Sequence, residues 1–185
     1  MQTEIIFAGF GGQGVLFAGQ LLAFAALDAG KEVTWIPSYG PEMRGGTANC
    51  TVVISDEEIG SPLVRNPRAA VVMNLPSLDK YEPMITPGGV LIANASLTNR
   101  EARRTDLECV FVPANEIAEE IGNKRLINVI MLGALLSRLH VLSFDEIKVA
   151  LENHLPERHK RLLPMNMEAL QRGAAFATRE QEKTL

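Results

Sequence analysis

Cysteine is nearly missing from this sequence: Cys50 and Cys109 are the only two among 185 residues. Each sits in its own strand-like run, with no CxxC or CxxH spacing. The chain therefore cannot by itself hold an iron–sulfur cluster or a structural zinc. Both read as buried, reduced thiols, since free cysteine packs as a small apolar residue. Aromatics are also scarce, at 5% against a hydrophobic content of 46%, so the core must be built from Ala, Val, Ile, Leu and Met. The longest apolar run, Leu21–Leu27, is far too short to cross a bilayer. There is no basic excess: 18 Lys and Arg face 22 Asp and Glu, interspersed, for a net charge of −4. A nucleic-acid partner, which calls for a basic surface, is disfavoured. Met1-Gln2-Thr3-Glu4 leads straight into a strand with no basic-then-apolar leader, which sets a cytoplasmic location as the expectation. Ser38, Ser61 and Ser77 have no His–Asp partners, so nucleophilic hydrolysis has little support. His154 and His159, in a polar stretch, read as solvated, as does the basic run Arg100, Arg103, Arg104.

What is present is an alternation of short apolar strands and helices. Glu4–Ala8 reads as a buried strand and Gly14–Ala29 as a helix that is apolar nearly all round, stopped by Gly30. Such a helix needs cover on several sides, from the sheet and from another element or another chain. Further strands are predicted at Glu32–Ile36 (ended by Pro37), at Ala48–Ser55 (turned at Asp56-Glu57 into a hairpin arm), and at Ala69–Asn74, Gly89–Ala93 and Glu108–Val112. An antiparallel element is expected around Ala48–Ile59. Ala69–Asn74 has the continuous apolar character of a central parallel strand. Helices are predicted at Pro76–Met84, Asn115–Gly122 and Asn128–His140. The next runs from Ser143 to about Asn153, and the last from about Pro164 to Thr178. Ser143 and Glu146 have capping-box spacing, with Leu142 and Ile147 placed as a hydrophobic staple. No repeat or linker interrupts the pattern. The expectation is one α/β domain over residues 1–178, a three-layer α/β/α arrangement around a mostly parallel sheet, with 179–185 as a frayed tail.

Two glycine-rich loops carry the chemistry. Gly9, Gly11 and Gly14 match G-x-G-x-x-G between a strand and a helix, a Rossmann-like first unit. Backbone amides of Gly11, Gly12, Gln13 and Gly14 can approach an anion there, helped by the helix dipole. The acidic residue that grips a ribose some twenty residues on is absent, because the second strand ends in Ile36-Pro37-Ser38. A stand-alone NAD(P)-dependent oxidoreductase is thus one reading; tight turning and close helix–strand packing by the glycines is another. The second loop comprises Ser38, Tyr39, Gly40, Pro41, Glu42, Met43, Arg44, Gly45 and Gly46. Following a strand of a parallel sheet, it should emerge on the same edge as the first. Its Arg44 guanidinium suits a carboxylate or phosphate, or else an internal pair with Glu42.

Taken together, Gly9-Phe10-Gly11-Gly12-Gln13-Gly14 and Ser38-Tyr39-Gly40-Pro41-Glu42-Met43-Arg44-Gly45-Gly46 resemble the gamma subunit of 2-oxoacid:ferredoxin oxidoreductases. The likeness extends through Ile59-Gly60-Ser61-Pro62, Asn74-Leu75-Pro76-Ser77-Leu78-Asp79-Lys80-Tyr81, Asn166-Met167-Glu168-Ala169-Leu170 and Gly173. The resemblance implies an accessory chain of an enzyme that oxidatively decarboxylates a 2-oxoacid to an acyl-CoA and passes electrons to ferredoxin. Thiamine diphosphate and the iron–sulfur clusters would belong to partners, the alpha and beta subunits and a ferredoxin-like subunit. No cofactor is expected on this chain alone, and CoA is expected at an interface. The form of the two loops resembles 2-oxoglutarate or branched-chain 2-oxoacid enzymes more than pyruvate enzymes. The resemblance also assigns Gly9, Gly11, Gly12, Gln13, Gly14, Ser38, Tyr39, Gly40, Glu42, Arg44, Gly45 and Gly46 to the CoA/thiamine cleft.

Overall fold

The structure, a computed structural model, describes residues 1–39 and 46–182, with Tyr39 and Gln181 as backbone only. Six strands form one sheet: β1 (Gln2–Phe10), β2 (Glu32–Tyr39), β3 (Thr47–Ser55), β4 (Ala69–Val72), β5 (Val90–Asn94) and β6 (Glu108–Val112). Their spatial order is β2-β3-β1-β4-β5-β6. β1, β4, β5 and β6 are parallel neighbours, while β3 is antiparallel to both β1 and β2. The helices are α1 (Val15–Asp28), α2 (Leu75–Tyr81), α3 (Ala114–Ile121), α4 (Ile127–Leu139), α5 (Phe144–His154) and α6 (Leu163–Glu182).

Alternation along β1 sends Ile5 and Phe7 to one face and Ile6 and Ala8 to the other, and all four are buried. The first face carries α1, α3, α4, α5 and α6 over a large aliphatic core. The second is covered by α2, the 3-10 turn Glu82–Met84 and the chain leading into β6. β4 is wholly buried, as its unbroken apolar sequence requires of a strand covered on both faces. The three-layer α/β/α fold is therefore as expected, with very unequal outer layers.

Several boundaries differ from the sequence expectation, each for a physical reason. β2 does not end at Pro37 but continues to Tyr39, with Pro37 in register with Cys50. An edge strand tolerates proline because one row of its N–H groups has no partner to serve. β3 forms no hairpin arm at Asp56-Glu57. It lies between β2 and β1, and the chain after Ser55 crosses to β4 without regular structure. The cover on α1 comes from this same chain, since its buried side packs in one core with α4 and α5, leaving Phe17 and Leu27 exposed. A 3-10 turn over Glu157–Leu162 precedes α6, and α6 runs on past Thr178 to Glu182. The capping box at Ser143 is formed, and Leu142 and Ile147 are both buried beneath it.

α4 and α6 cross at a pair of glycines. A Cβ on Gly133 would fall on the backbone carbonyl of Leu170, and one on Gly173 would fall on the carbonyl of Ile130. Only hydrogen at both positions lets the two backbones approach this closely.

Candidate functional site

The carboxyl edge of the sheet carries the first glycine loop and the two described roots of the second. Phe10, the last residue of β1, lies opposite Thr47, the first of β3, and Tyr39 at the end of β2 lies opposite Ala48. The Gly11 N–H donates to the Gly46 carbonyl at 2.9 Å, joining the root of one loop to the root of the other. Ser38 is exposed and shares a strand face with Ile36, opposite to Trp35. Gly40, Glu42, Arg44 and Gly45, with Pro41 and Met43 between them, lie outside the described residues.

The first loop is held from below by two amide side chains. Gln13 turns inward: its Oε1 accepts from the Phe10 N–H at 2.6 Å and from Asn74 Nδ2 at 3.1 Å, while its Nε2 lies 3.4 Å from the Met73 carbonyl. This amide bridges the ends of β1 and β4. The chain leaves β1 for the five-helix face and β4 for the opposite one, so the gap between them is the topological switch point. Dinucleotide-binding sheets take their ligand in that gap. Here the Gln13 side chain fills it.

Asn128, at the start of α4 and 4% exposed, donates from Nδ2 to the Gly14 carbonyl at 3.0 Å. Gly14 has φ 73°, a left-handed conformation, and a Cβ there would strike the Asn128 amide. Gly9 is packed as well, since a Cβ would lie 2.8 Å from Met73 Cβ and from Val15 Cγ2. Of the loop amides, Gly11 is bonded to Gly46 and Gln13 to the Phe10 carbonyl at 3.2 Å. Gly12 and Gly14, with Val15 opening α1, have no backbone acceptor among the described residues. α1 begins with no side-chain cap and no acid in its first turn, so no side chain of its own offsets the positive end of its dipole. A groove of about 320 Å3 runs past Gly11, Gly12 and Gly14 to Leu16 and Phe17.

Further amides line the same edge. Asn74, 3% exposed, caps α2 by accepting from the Ser77 N–H at 3.0 Å. Asn94, fully buried at the end of β5, accepts from the Ser96 N–H at 3.2 Å and donates to Asn115 Oδ1 at 3.0 Å. The Ser96 hydroxyl donates to Glu116, a bond that holds the Glu116 carboxyl below its usual range. Sequence reasoning missed this row. The available signal was an Asn closing an apolar strand just before a turn, at both Asn74 and Asn94.

One surface reading is corrected in part. Arg100 and Arg104 are largely covered, because they pack around Glu82, which is 2% exposed, whereas the Arg103 side chain is solvated as expected. The Glu82 carboxylate accepts from the backbone N–H of Arg103 and, at 2.9 Å, of Arg104, and pairs with the Arg100 guanidinium at 2.8 Å. Burial works to raise the Glu82 pKa, yet the Arg104 N–H, the Arg100 guanidinium and the Arg103 N–H outweigh it and hold the carboxyl below its ordinary value. His154, exposed as expected, also stacks on Phe24 with ring centroids 4.1 Å apart and meets Asp28 through Nε2 at 3.0 Å. That hydrogen bond lowers the Asp28 pKa. Burial pushes the Cys50 thiol up to about 12 and the half-buried Cys109 thiol up to about 11, so neither is poised as a thiolate. Cys50 lies on β3 and Cys109 on β6, on opposite sides of the sheet's central pair, and so they cannot share a cluster. Among the described residues no three His, Cys, Asp or Glu side chains group as a metal site, and no helix is long and apolar enough to cross a membrane.

Fold and edge together define an α/β domain that presents backbone amides at the joined roots of two glycine loops, with its dinucleotide crevice closed by a glutamine. The chain belongs to the pyruvate ferredoxin/flavodoxin oxidoreductase family, whose model matches residues 4–176. It is 38% identical over 183 residues to the ketoisovalerate oxidoreductase subunit VorA of Methanothermobacter marburgensis, covering 98% of this chain. It spans only 38% of that relative's length. Among solved structures it is similar to the gamma subunit of keto/oxoacid ferredoxin oxidoreductase from Geobacter sulfurreducens PCA, with a TM-score of 0.80 and 30% identity over 96% of this chain and 99% of that one. It is also similar to the 2-oxoglutarate:ferredoxin oxidoreductase from Magnetococcus marinus, solved with 2-oxoglutarate, coenzyme A and succinyl-CoA bound. There the TM-score is 0.85 at 26% identity, over 96% of this chain and 31% of the other.

Proposed function

We propose that this chain is the gamma subunit of a cytoplasmic 2-oxoacid:ferredoxin oxidoreductase. In that role it shapes a reaction centre whose thiamine diphosphate and iron–sulfur clusters are carried by partner subunits. Family membership supports the reaction class. The observation that carries the role is the Gly11–Gly46 hydrogen bond, which ties two glycine loops into one amide-bearing edge on a chain with two isolated thiols. Such an edge can bind and screen an anion but has no group able to take electrons. The Gly12, Gly14 and Val15 amides would face CoA at the subunit boundary, the α1 dipole would favour its negative charge, and Arg44 would add a guanidinium from the second loop. The substrate would be 2-oxoglutarate or a branched-chain 2-oxoacid, in keeping with the enzymes to which the chain is similar. A stand-alone nicotinamide enzyme fits less well, because a dinucleotide would have to displace Gln13 and would find no acid at the tip of β2.

Affinity purification of the tagged chain from its native host is the test. The expected result is co-purification with thiamine-bearing and iron–sulfur subunits, stoichiometric thiamine diphosphate and iron in the complex, and no turnover by the chain alone. A chain that purifies alone, or that oxidises a 2-oxoacid unaided, would overturn the proposal. Within the assembled enzyme, Arg44→Ala is expected to raise the KM for CoA about tenfold, the worth of one charged hydrogen bond. Unchanged CoA kinetics would remove Arg44 from the site.

A further inference from the structure

Asn128 is the second residue of α4, and its carboxamide serves two backbone groups of opposite kind. Nδ2 donates to the Gly14 carbonyl at 3.0 Å, across 114 residues of sequence, and Oδ1 accepts from the Val129 N–H at 3.0 Å. Turning the amide over would set oxygen against carbonyl and NH2 against N–H, so only one orientation fits. The Gly14 carbonyl also takes the first helical bond of α1, from the Ala18 N–H at 3.1 Å. The carbonyl and N–H of one trans peptide point opposite ways. Fixing the Gly14 oxygen therefore also fixes the Val15 N–H, which is aimed out of the start of α1. The residues before it alternate: Gly12 has φ 98° and Gly14 φ 73°, with Gln13 between them outside the positive range. Such alternation turns successive N–H groups to one side, the geometry of a backbone anion cradle. The fit is close, since a Cβ on Gly14 would lie 2.4 Å from Asn128 Nδ2.

We propose that Asn128 is a positioning residue for the anion-binding edge. It acts through Gly14: held by Nδ2, the Gly14–Val15 peptide presents its N–H to the phosphate of a bound ligand. The Gly12–Gly14 turn then stays in the shape that gathers the neighbouring amides. This inference rests on the function proposed above, with CoA as that ligand. Starting α4 does not call for the Gly14 bond, since the Val129 N–H is served by Oδ1 alone. Nor does Gly14 need it, because its carbonyl already has the Ala18 N–H. What remains for Nδ2 is the alignment of two helix starts that are remote in sequence and meet at one loop.

Steady-state kinetics of the assembled enzyme test it, with Asn128→Asp and Asn128→Ala. Asp keeps the size of the side chain and the acceptor for Val129, and an acid in the first turn of a helix is favourable. A residue that merely starts α4 would tolerate it. A positioning residue would not, because a carboxylate has no donor for the Gly14 carbonyl. Both variants are expected to raise the KM for CoA about tenfold, as for one lost N–H bond to a charged group, with kcat and the KM for the 2-oxoacid unmoved. Gly14→Ala should give the same pattern, and Gly14→Ala with Asn128→Ala no more than either alone, since both act on one peptide. Unchanged CoA kinetics in Asn128→Asp, a fall in kcat in place of the KM effect, or additive effects would overturn the assignment. Should the variants assemble poorly, amide resonances of the purified full chain give a second reading. CoA is expected to shift those of Gly12, Gly14 and Val15 in the wild type and not in Asn128→Ala; shifts in both proteins, or in neither, would overturn it. A chain that purifies without thiamine-bearing partners overturns the proposed function and leaves the resonances to judge Asn128, so the two fail separately.

Discussion

Gln13 and Glu82 show how single side chains set this structure. Gln13→Ala would strip the Phe10 N–H and the Asn74 amide of their shared acceptor at a half-buried junction. The expected cost is about 2 kcal/mol in urea denaturation, since an unsatisfied donor loses more than its bond. Glu82→Gln should cost about 2 kcal/mol at neutral pH, because it replaces the buried charged acceptor of the Arg103 and Arg104 N–H groups with a neutral amide, while Arg100 keeps Asp79. The pH dependence has a definite sign. A carboxylate whose folded pKa lies below its unfolded one contributes stability above the unfolded value and loses it as pH falls through the folded one. The gap in stability between the wild type and Glu82→Gln should therefore close below roughly pH 4; a gap constant down to pH 3 would show that the charge of Glu82 is not the source. The glycine spacing of the first loop was legible from sequence, but the direction of the Gln13 side chain was not. Its partners, Met73 and Asn74, are distant in sequence and become neighbours only when β4 pairs with β1. Asn128, which sets Gly14, lies farther off still. Gly40, Glu42, Arg44 and Gly45 lie outside the described residues and stand as expectations.

Among elements, the α4–α6 crossing has the least tolerance. Gly173→Ala would drive a methyl group into the Ile130 carbonyl. The expected loss is about 3 kcal/mol of stability, visible as a lowered melting temperature, because a packed backbone cannot move aside as a flexible side chain would. A variant as stable as the wild type would mean that the helices can separate without cost. The helices were readable from sequence because their apolar residues recur at helical spacing and their stops are marked, as at Gly122 and at the Ser143 capping box. β4, β5 and β6 were readable because buried parallel strands are unbroken apolar runs. β2 was cut short at Pro37 because proline stops a central strand but not an edge one, and edge position is a property of the whole sheet. The same blindness applied to α1. Its all-round apolarity was evident, whereas α5 as its cover depends on a helix far along the chain, fastened by the His154–Asp28 contact.

At the scale of the molecule, both thiols should report unfolding. Cys50 is fully buried and Cys109 half-buried, with both pKa values raised by burial. At pH 8 a thiol reagent is expected to reach Cys109 slowly and Cys50 only at the global unfolding rate, and both at once in denaturant. Rapid native labelling of Cys50 would reveal local opening of β3. The strand order has a further outcome for the newborn polypeptide. β1 is made before both of its neighbours, so its β3 side stays unfilled until synthesis has reached Ser55 and its β4 side until it has reached Val72. Throughout that interval Ile5, Ile6, Phe7 and Ala8 are a bare sticky ribbon on the ribosome, the natural target of a chaperone and the first place for premature aggregation.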